Sequence, residues 1–339
     1  MMKKMITASA LLVAAVSGVA HAGATLDAIK AKGFVQCGVS TGLAGFSSTN
    51  DKGQWIGLDV DVCRAAAAAV FGDAGAVKYT PLTAKERFTA LQSGEVDVLP
   101  RNTTWTLTRD SNLGIHFAGV NYYDGQGFLV SKDLGVNSAA ELDGAAVCIQ
   151  AGTTSELNLA DYFRTNGMKF TPITYDTSDE TVKGFAAGRC DVLTSDQSQL
   201  YALRIKLKDP SSAKVLPEVI SKEPLGPVVR NGDEEWLKII RWSLYAMINA
   251  EEMGVTSENA DKMKADSKDP GIQRLLGLSG IKGQGLKLPD DWSYNIIKQV
   301  GNYSESFERN VGKGSPLGIS RGLNALWNKG GIQYAAPIR

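Results

Sequence analysis

The stretch Gly57-Leu58-Asp59-Val60-Asp61-Val62-Cys63-Arg64-Ala65-Ala66-Ala67 decides how this chain is read. Its alanine run continues to Ala69, and alanine has the highest helix propensity of all residues. A helix over Leu58 to Phe71 follows, with Gly72 as its stop. Asp59 and Asp61 fall in the first turn, where acidic groups meet the positive end of the helix dipole. They are expected to cap the helix and position the loop before it, and not to touch a ligand. Upstream, Phe34-Val35-Gln36-Cys37-Gly38-Val39 reads as a buried strand, followed by the glycine-bearing loop Ser40 to Ser48. Downstream come a strand at Val77–Thr80, a helix over Ala84–Gln92 ending at Gly94, and a strand at Val96–Leu99. This strand–helix alternation is the pattern of an α/β fold with a parallel sheet.

The pattern then restarts. Ala145–Gln150 reads as a strand, Thr153–Asn166 as a helix with Gly167 at its end, and Phe170–Tyr175 as a strand. A helix over Ser178–Ala187 and a strand over Cys190–Thr194 complete the second set. Two similar sets imply two lobes of related build. Extended segments near 127–131 and 222–228 are candidate crossings between them, the second biased to extended backbone by Pro224 and Pro227. Two crossings place residues 23–128 with 226–339 in lobe 1 and residues 129–225 in lobe 2. Glu234–Met253 reads as a long helix whose apolar stripe (Trp236, Ile239, Ile240, Leu244, Met247, Ile248) is core packing. Beyond it, helices are expected around Pro270–Leu276, Asp290–Val300 and Ile319–Lys329, as a helical elaboration of lobe 1 without chemistry of its own.

The N-terminus has three parts. Met1-Met2-Lys3-Lys4 is basic, Ile6–Val19 is apolar, and Ala20-His21-Ala22 is a small-x-small cleavage site. This reads as a secretory signal peptide over 1–22, too short to span a bilayer, with the mature chain beginning at Gly23. The whole chain has 339 residues, with Lys+Arg 36 and Asp+Glu 36. It therefore has no basic footprint for nucleic acid. Export makes the four cysteines disulfide candidates. Of three possible pairings, Cys37–Cys63 and Cys148–Cys190 join sequence neighbours and give each half one bridge. The close C-x₂₋₄-C spacing of zinc sites is absent. Only His21 and His116 are present, and His21 leaves with the leader. A lone His116 builds no metal site, and neither a G-x-S-x-G elbow nor a P-loop occurs.

With its flanking elements, the Gly57–Ala67 segment resembles the signature of the family 3 solute-binding proteins, the periplasmic polar amino-acid receptors of ABC transporters. The resemblance covers about residues 30 to 250. With the long C-terminal extension, the chain is similar to the general L-amino-acid-binding proteins. It implies an α/β, two-lobed type II periplasmic binding fold with two hinge crossings, no cofactor, no metal and no catalysis. The implied receptor is a periplasmic monomer that delivers free L-amino acids to an inner-membrane permease.

A zwitterion in a pocket needs both charges paired, because an unpaired buried charge is costly. A carboxylate is best held by arginine with hydroxyl and backbone N–H donors. In Arg101-Asn102-Thr103-Thr104-Trp105-Thr106-Leu107-Thr108-Arg109, which follows a strand, the resemblance assigns Arg109 to the ligand α-carboxylate. It assigns Thr104 as hydroxyl donor and Asn102 as the residue whose backbone meets the ammonium. In Gln150-Ala151-Gly152-Thr153-Thr154, a turn opening a helix, it places Thr154 and Gly152 at the carboxylate. In Gly188-Arg189-Cys190-Asp191-Val192-Leu193-Thr194-Ser195-Asp196 it makes Asp196 the partner of the ammonium and leaves Asp191 a structural role. Family members selective for one side chain often carry an acid near Ser40 and aromatics near Leu43 and Ala84. Here these positions are neutral, and Leu43 and Ala84 are not aromatic. Phe46 and Trp105 are then the candidates for apolar contact, and broad specificity is expected. The competing expectation is an exported dehydratase of prephenate-like acids on the same fold, using His116.

Overall fold

The computed structural model describes residues 23–339, so the expected leader over 1–22 lies outside the described residues. Two α/β lobes carry sheets of parallel logic. In lobe 1, Val35–Ser40 pairs in parallel with Val77–Leu82, from Val35↔Val77 to Ser40↔Leu82. Residues 96–99 add to the other edge of Val35–Ser40. Single bridges fix them: Cys37↔Val98 is parallel and Leu99↔Val228 is antiparallel. The strand expected at Val96–Leu99 is thus reduced to ladder contacts at a sheet that then continues through Val228–Arg230 to Ile115–Phe117. In lobe 2 the order across the sheet is Thr171–Tyr175, Ala146–Gln150, Val192–Asp196, Gln126–Ser131, Ala213–Val215. Both sheets therefore run second strand, first strand, third strand, then two antiparallel additions.

The helix of the opening stretch spans Leu58–Phe71 and ends at Gly72, which is left-handed at φ 68° and returns its N–H to the Ala68 carbonyl. Gly57, before it, is at φ 136°, and a Cβ there would lie 2.0 Å from the Phe46 carbonyl oxygen. Only glycine fits that approach. The helix N-terminus has no side-chain cap, so the expectation for the two acids is corrected. Both are buried and spent on distant backbone and side chains. Asp59 accepts from the Asn102 N–H (2.8 Å) and from Asn121 Nδ2 (3.0 Å). Asp61 accepts from Ser306 Oγ (2.6 Å), Arg309 Nη2 (2.6 Å) and Asn310 Nδ2 (2.7 Å). Asp59 fixes a site loop; Asp61 fastens the C-terminal extension to the first lobe.

Each lobe has its own bridge. Cys37–Cys63 joins a strand to the helix above it, and Cys148–Cys190 joins the middle of the strand Ala146–Gln150 to the turn before Val192–Asp196, with Cα separations of 6.1 and 5.6 Å. The core of lobe 1 packs the alanine helix against the long helix Glu234–Glu252 and against Trp292 and Phe307 of the extension. Lobe 2 is smaller. Its two clusters cover opposite sheet faces, one with Phe128, Val147 and Phe163, the other with Leu129, Cys148 and Leu200.

The chain crosses between lobes on Tyr122–Asp124 and Glu223–Leu225, which pair antiparallel. Residues 127–131, expected as a crossing, are instead inside the second sheet, because Gln126–Ser131 pairs with Val192–Asp196 along its length. Gly226 permits the close return of the second crossing: a Cβ there would lie 1.9 Å from the Gly119 carbonyl oxygen.

The extension differs most from expectation. Helices form at Pro270–Leu275 and Trp292–Gln299, but also at Ala260–Asp266 and at Tyr303–Asn310, the latter opened by an Asn302/Glu305 capping box. The helix expected over Ile319–Lys329 is two short 3₁₀ turns, Gly322–Asn324 and Trp327–Lys329. Left-handed Gly322 interrupts it, and left-handed Gly330 closes the second turn. Asn324 pairs with the first crossing, accepting from the Tyr123 N–H (2.7 Å) and donating to the Tyr123 carbonyl (3.0 Å). No helix among the described residues is long and apolar enough to cross a membrane.

Candidate functional site

The two lobes meet around a narrow polar cleft. Lobe 1 supplies Arg87, Arg101, Asn102 and Thr104; lobe 2 supplies Gln150, Thr153, Thr154, Ser155, Ser195, Asp196 and Gln199. Every lining side chain is polar or charged. The lobes already touch across it. Asn102 Nδ2 donates to Gln199 Oε1 (3.2 Å), and the Thr104 and Thr154 hydroxyls are 3.4 Å apart. At the rim, Lys85 pairs with Asp176 (2.6 Å) and Lys206 Nζ donates to the Gly42 carbonyl (3.1 Å). The structure is a closed form.

Lobe 1 gathers three arginines. Arg87 is 3 % exposed, with long hydrogen bonds to the Arg101 carbonyl (3.5 Å) and Thr103 Oγ1 (3.4 Å), and its Nε has no partner. Arg101 Nε donates to the Leu82 carbonyl (2.8 Å). Arg109 lies in the short helix Leu107–Asn112, whose cap Thr106 accepts the Arg109 N–H, and its Nη1 donates to the Thr104 carbonyl (2.9 Å). None of the three is in an ion pair among the described residues, and Arg109 does not pair with its neighbour Asp110. Burial pulls all three guanidinium pKa values down: Arg87 well below its ordinary value, Arg101 to about 10, and Arg109 less far. The cationic forms of Arg87 and Arg101 are further disfavoured by one another's neighbours, above all Arg109. These cations are held by carbonyls, which satisfy hydrogen bonds without neutralising charge.

Lobe 2 answers with an acid. Asp196 ends the strand Val192–Asp196 and precedes the helix Gln197–Arg204. It is 6 % exposed, and no described residue donates a hydrogen bond to its carboxyl. Burial first, then the charges of Asp124 and Glu223, push its pKa well above the carboxylate range, against the pull of Arg109 and Arg87. A cation delivered to this carboxyl would relieve all of that. Thr154 opens the helix Thr154–Thr165 on the same wall.

Of the residues the sequence pointed to, Asn102, Thr104, Thr154 and Asp196 line the cavity, and Arg109 stands behind Thr104. Five others do not line it. Ser40 is buried with its N–H on Ser47 Oγ (3.0 Å). Leu43 and Phe46 turn into the core of lobe 1, where Phe46 packs edge-on to Tyr122 at 5.2 Å, because an apolar side chain gains more there than on a polar wall. Trp105 lies flat on Phe117 at 5.2 Å, 37 % exposed. Gly152 gives its N–H to Glu156 Oε2 (2.8 Å). The sequence reading missed Arg87, Arg101 and Gln199. Arg87 stands in Glu86-Arg87-Phe88 on an ordinary short helix, a context that reads as a solvent face. His116, in a strand of lobe 1, is 3.6 Å from Glu234 and outside the cavity lining.

Residues 35–259 match the bacterial extracellular solute-binding proteins, family 3. The chain belongs to that family. A putative amino-acid ABC transporter-binding protein, YhdW, of Escherichia coli K12 is 64 % identical over 341 residues, covering 100 % of both chains. The general L-amino acid-binding periplasmic protein AapJ of Rhizobium johnstonii is 60 % identical over 96 % of both chains. A solved periplasmic binding protein from Brucella ovis, with glutathione bound, superposes with a TM-score of 0.91 at 58 % identity, covering 93 % of this chain and 99 % of that one. The fold is the type II periplasmic binding fold with a helical C-terminal extension. These relatives are named as binding proteins, two of them with ABC transporters, and the dehydratase alternative finds no support among them.

Proposed function

We propose that this family member is a periplasmic receptor that binds free L-amino acids with broad specificity and hands them to an inner-membrane ABC permease. The observation that carries the reading is a division of charge across one cavity. Buried arginines without ion pairs stand on lobe 1, and a buried carboxyl without a donor stands on lobe 2. A zwitterion fits that division: its α-carboxylate goes to Arg109 with Thr104 and Thr154, and its ammonium to Asp196 and the Asn102 backbone. Residues 23–121 with 226–339 move as one body and residues 126–222 as the other, about the paired crossings Tyr122–Asp124 and Glu223–Leu225. Ligand binds the closed form better than the open one and so shifts the lobes toward closure. The polar wall fixes the backbone of any amino acid and meets the side chain with amides and hydroxyls and no aromatic clamp, which supports breadth. AapJ, named as a general L-amino acid-binding protein, supports the same reading. Export through the leader at 1–22 sets the periplasmic location, and the receptor works as a monomer.

Titration calorimetry of the mature chain, freed of co-purified ligand, against the twenty L-amino acids tests this. Comparable binding of several unlike amino acids is expected. One strongly preferred amino acid overturns the breadth, and no binding of any overturns the receptor reading.

A further inference from the structure

One buried acid remains unused by the site as described. Glu223 is 1 % exposed and sits on the second crossing strand, opposite Asp124. Its carboxylate accepts from Thr154 Oγ1 (3.0 Å), Asn158 Nδ2 (2.7 Å) and Ser221 Oγ (2.7 Å). Its charge is also the foremost one offsetting the burial of Arg109. Glu223 thus collects the hydroxyl and the guanidinium field that the α-carboxylate of an amino acid would need.

We infer that Glu223 is an internal stand-in for the ligand carboxylate, which an arriving amino acid must displace from Thr154. The inference rests on the proposed carboxylate role of Thr154 and Arg109. A hydroxyl has one proton to give, and that of Thr154 is directed at Glu223. A ligand carboxylate at Thr104 and Thr154 requires that hydroxyl to turn. It also places a second negative charge beside the first, where like charges repel. Glu223 therefore sets affinity without selecting a side chain. It stabilises the unliganded closed site by compensating Arg109, and lowers affinity by the same contact. Because it lies on a crossing strand, the exchange takes place where the lobes are joined.

The test is Glu223→Gln, which keeps the shape and an acceptor for Asn158 but removes the charge. Calorimetry with L-alanine and with L-glutamine is expected to show binding tightened about fivefold for both, the scale of one net hydrogen bond. The melting temperature without ligand falls, while the rise on adding ligand grows. A purely structural Glu223 gives the lower melting temperature with unchanged or weaker binding, and that result overturns the inference. Should Glu223→Gln fail to fold, Glu223→Asp keeps the charge but draws the carboxylate back from Thr154; tightening of about twofold is expected, and none overturns the inference. If the wild type binds neither amino acid, the receptor reading itself has failed. If the wild type binds and the variants bind no tighter, only the stand-in is wrong.

Discussion

The two walls of the cleft are built in opposite ways. Lobe 1 presents cations, each fastened to a main-chain carbonyl: Arg87 to residue 101, Arg101 to Leu82, Arg109 to Thr104. Its large core is shared with the long helix and the extension. Lobe 2 presents an acid and hydroxyls at strand and helix ends, on a smaller body with two modest clusters. The difference teaches why closure needs a guest. Carbonyls orient a guanidinium and leave its charge, and burial leaves Asp196 short of a donor. Each wall holds half of what a buried zwitterion demands, and the two halves come together only when the lobes do.

The comparison breaks most sharply at Arg109. Arg109→Ala should cost about 4 kcal/mol of binding, roughly a thousandfold, as expected for truncating one side of a buried charge pair. Far-ultraviolet circular dichroism should be unchanged. Unchanged affinity would remove the clamp from lobe 1.

Asp196 sharpens the other wall. Asp196→Asn should cost about 2 kcal/mol, or some thirtyfold. The wild type should also release a proton on binding. Unliganded, the Asp196 pKa stands well above the carboxylate range through burial and its acidic neighbours. The ligand ammonium favours the charged form and lowers it. Affinity then rises with pH up to the elevated pKa of the unliganded carboxyl and levels off above it. Calorimetry in buffers of different ionisation enthalpy reads the proton directly. Proton uptake, or an Asn variant with the same pH profile, would contradict the assignment.

The smallest effect belongs to the rim. Lys85 and Asp176 are both exposed, and such pairs contribute little. Lys85→Ala should change affinity by less than about twofold. A large loss would move the source of closure from the cavity to the rim.

What the sequence disclosed followed from how local each signal is. The alanine helix and its glycine stop, the strand–helix order of both lobes and the two bridges depend on near neighbours, and all are present. Thr104, Thr154 and Asp196, which the family resemblance singled out, line the cleft, each at or beyond the end of a strand. Arg87 and Glu223 were not legible, since nothing around them in sequence marks them and only the fold buries them. Phe46 and Trp105 read as ligand contacts because an aromatic near a binding loop suits either fate; packing on Tyr122 and Phe117 decided it. Ile319–Lys329 has enough apolar residues for a helix, yet glycines and the Asn324–Tyr123 pairing hold it as turns against the hinge.

A crystal structure of the mature protein grown with L-glutamine tests the central claim most directly. The account predicts one ligand with its carboxylate on Arg109, Thr104 and Thr154 and its ammonium on Asp196. A ligand whose two charges are both held by one lobe, with Arg109 still bonded only to the Thr104 carbonyl, would contradict it.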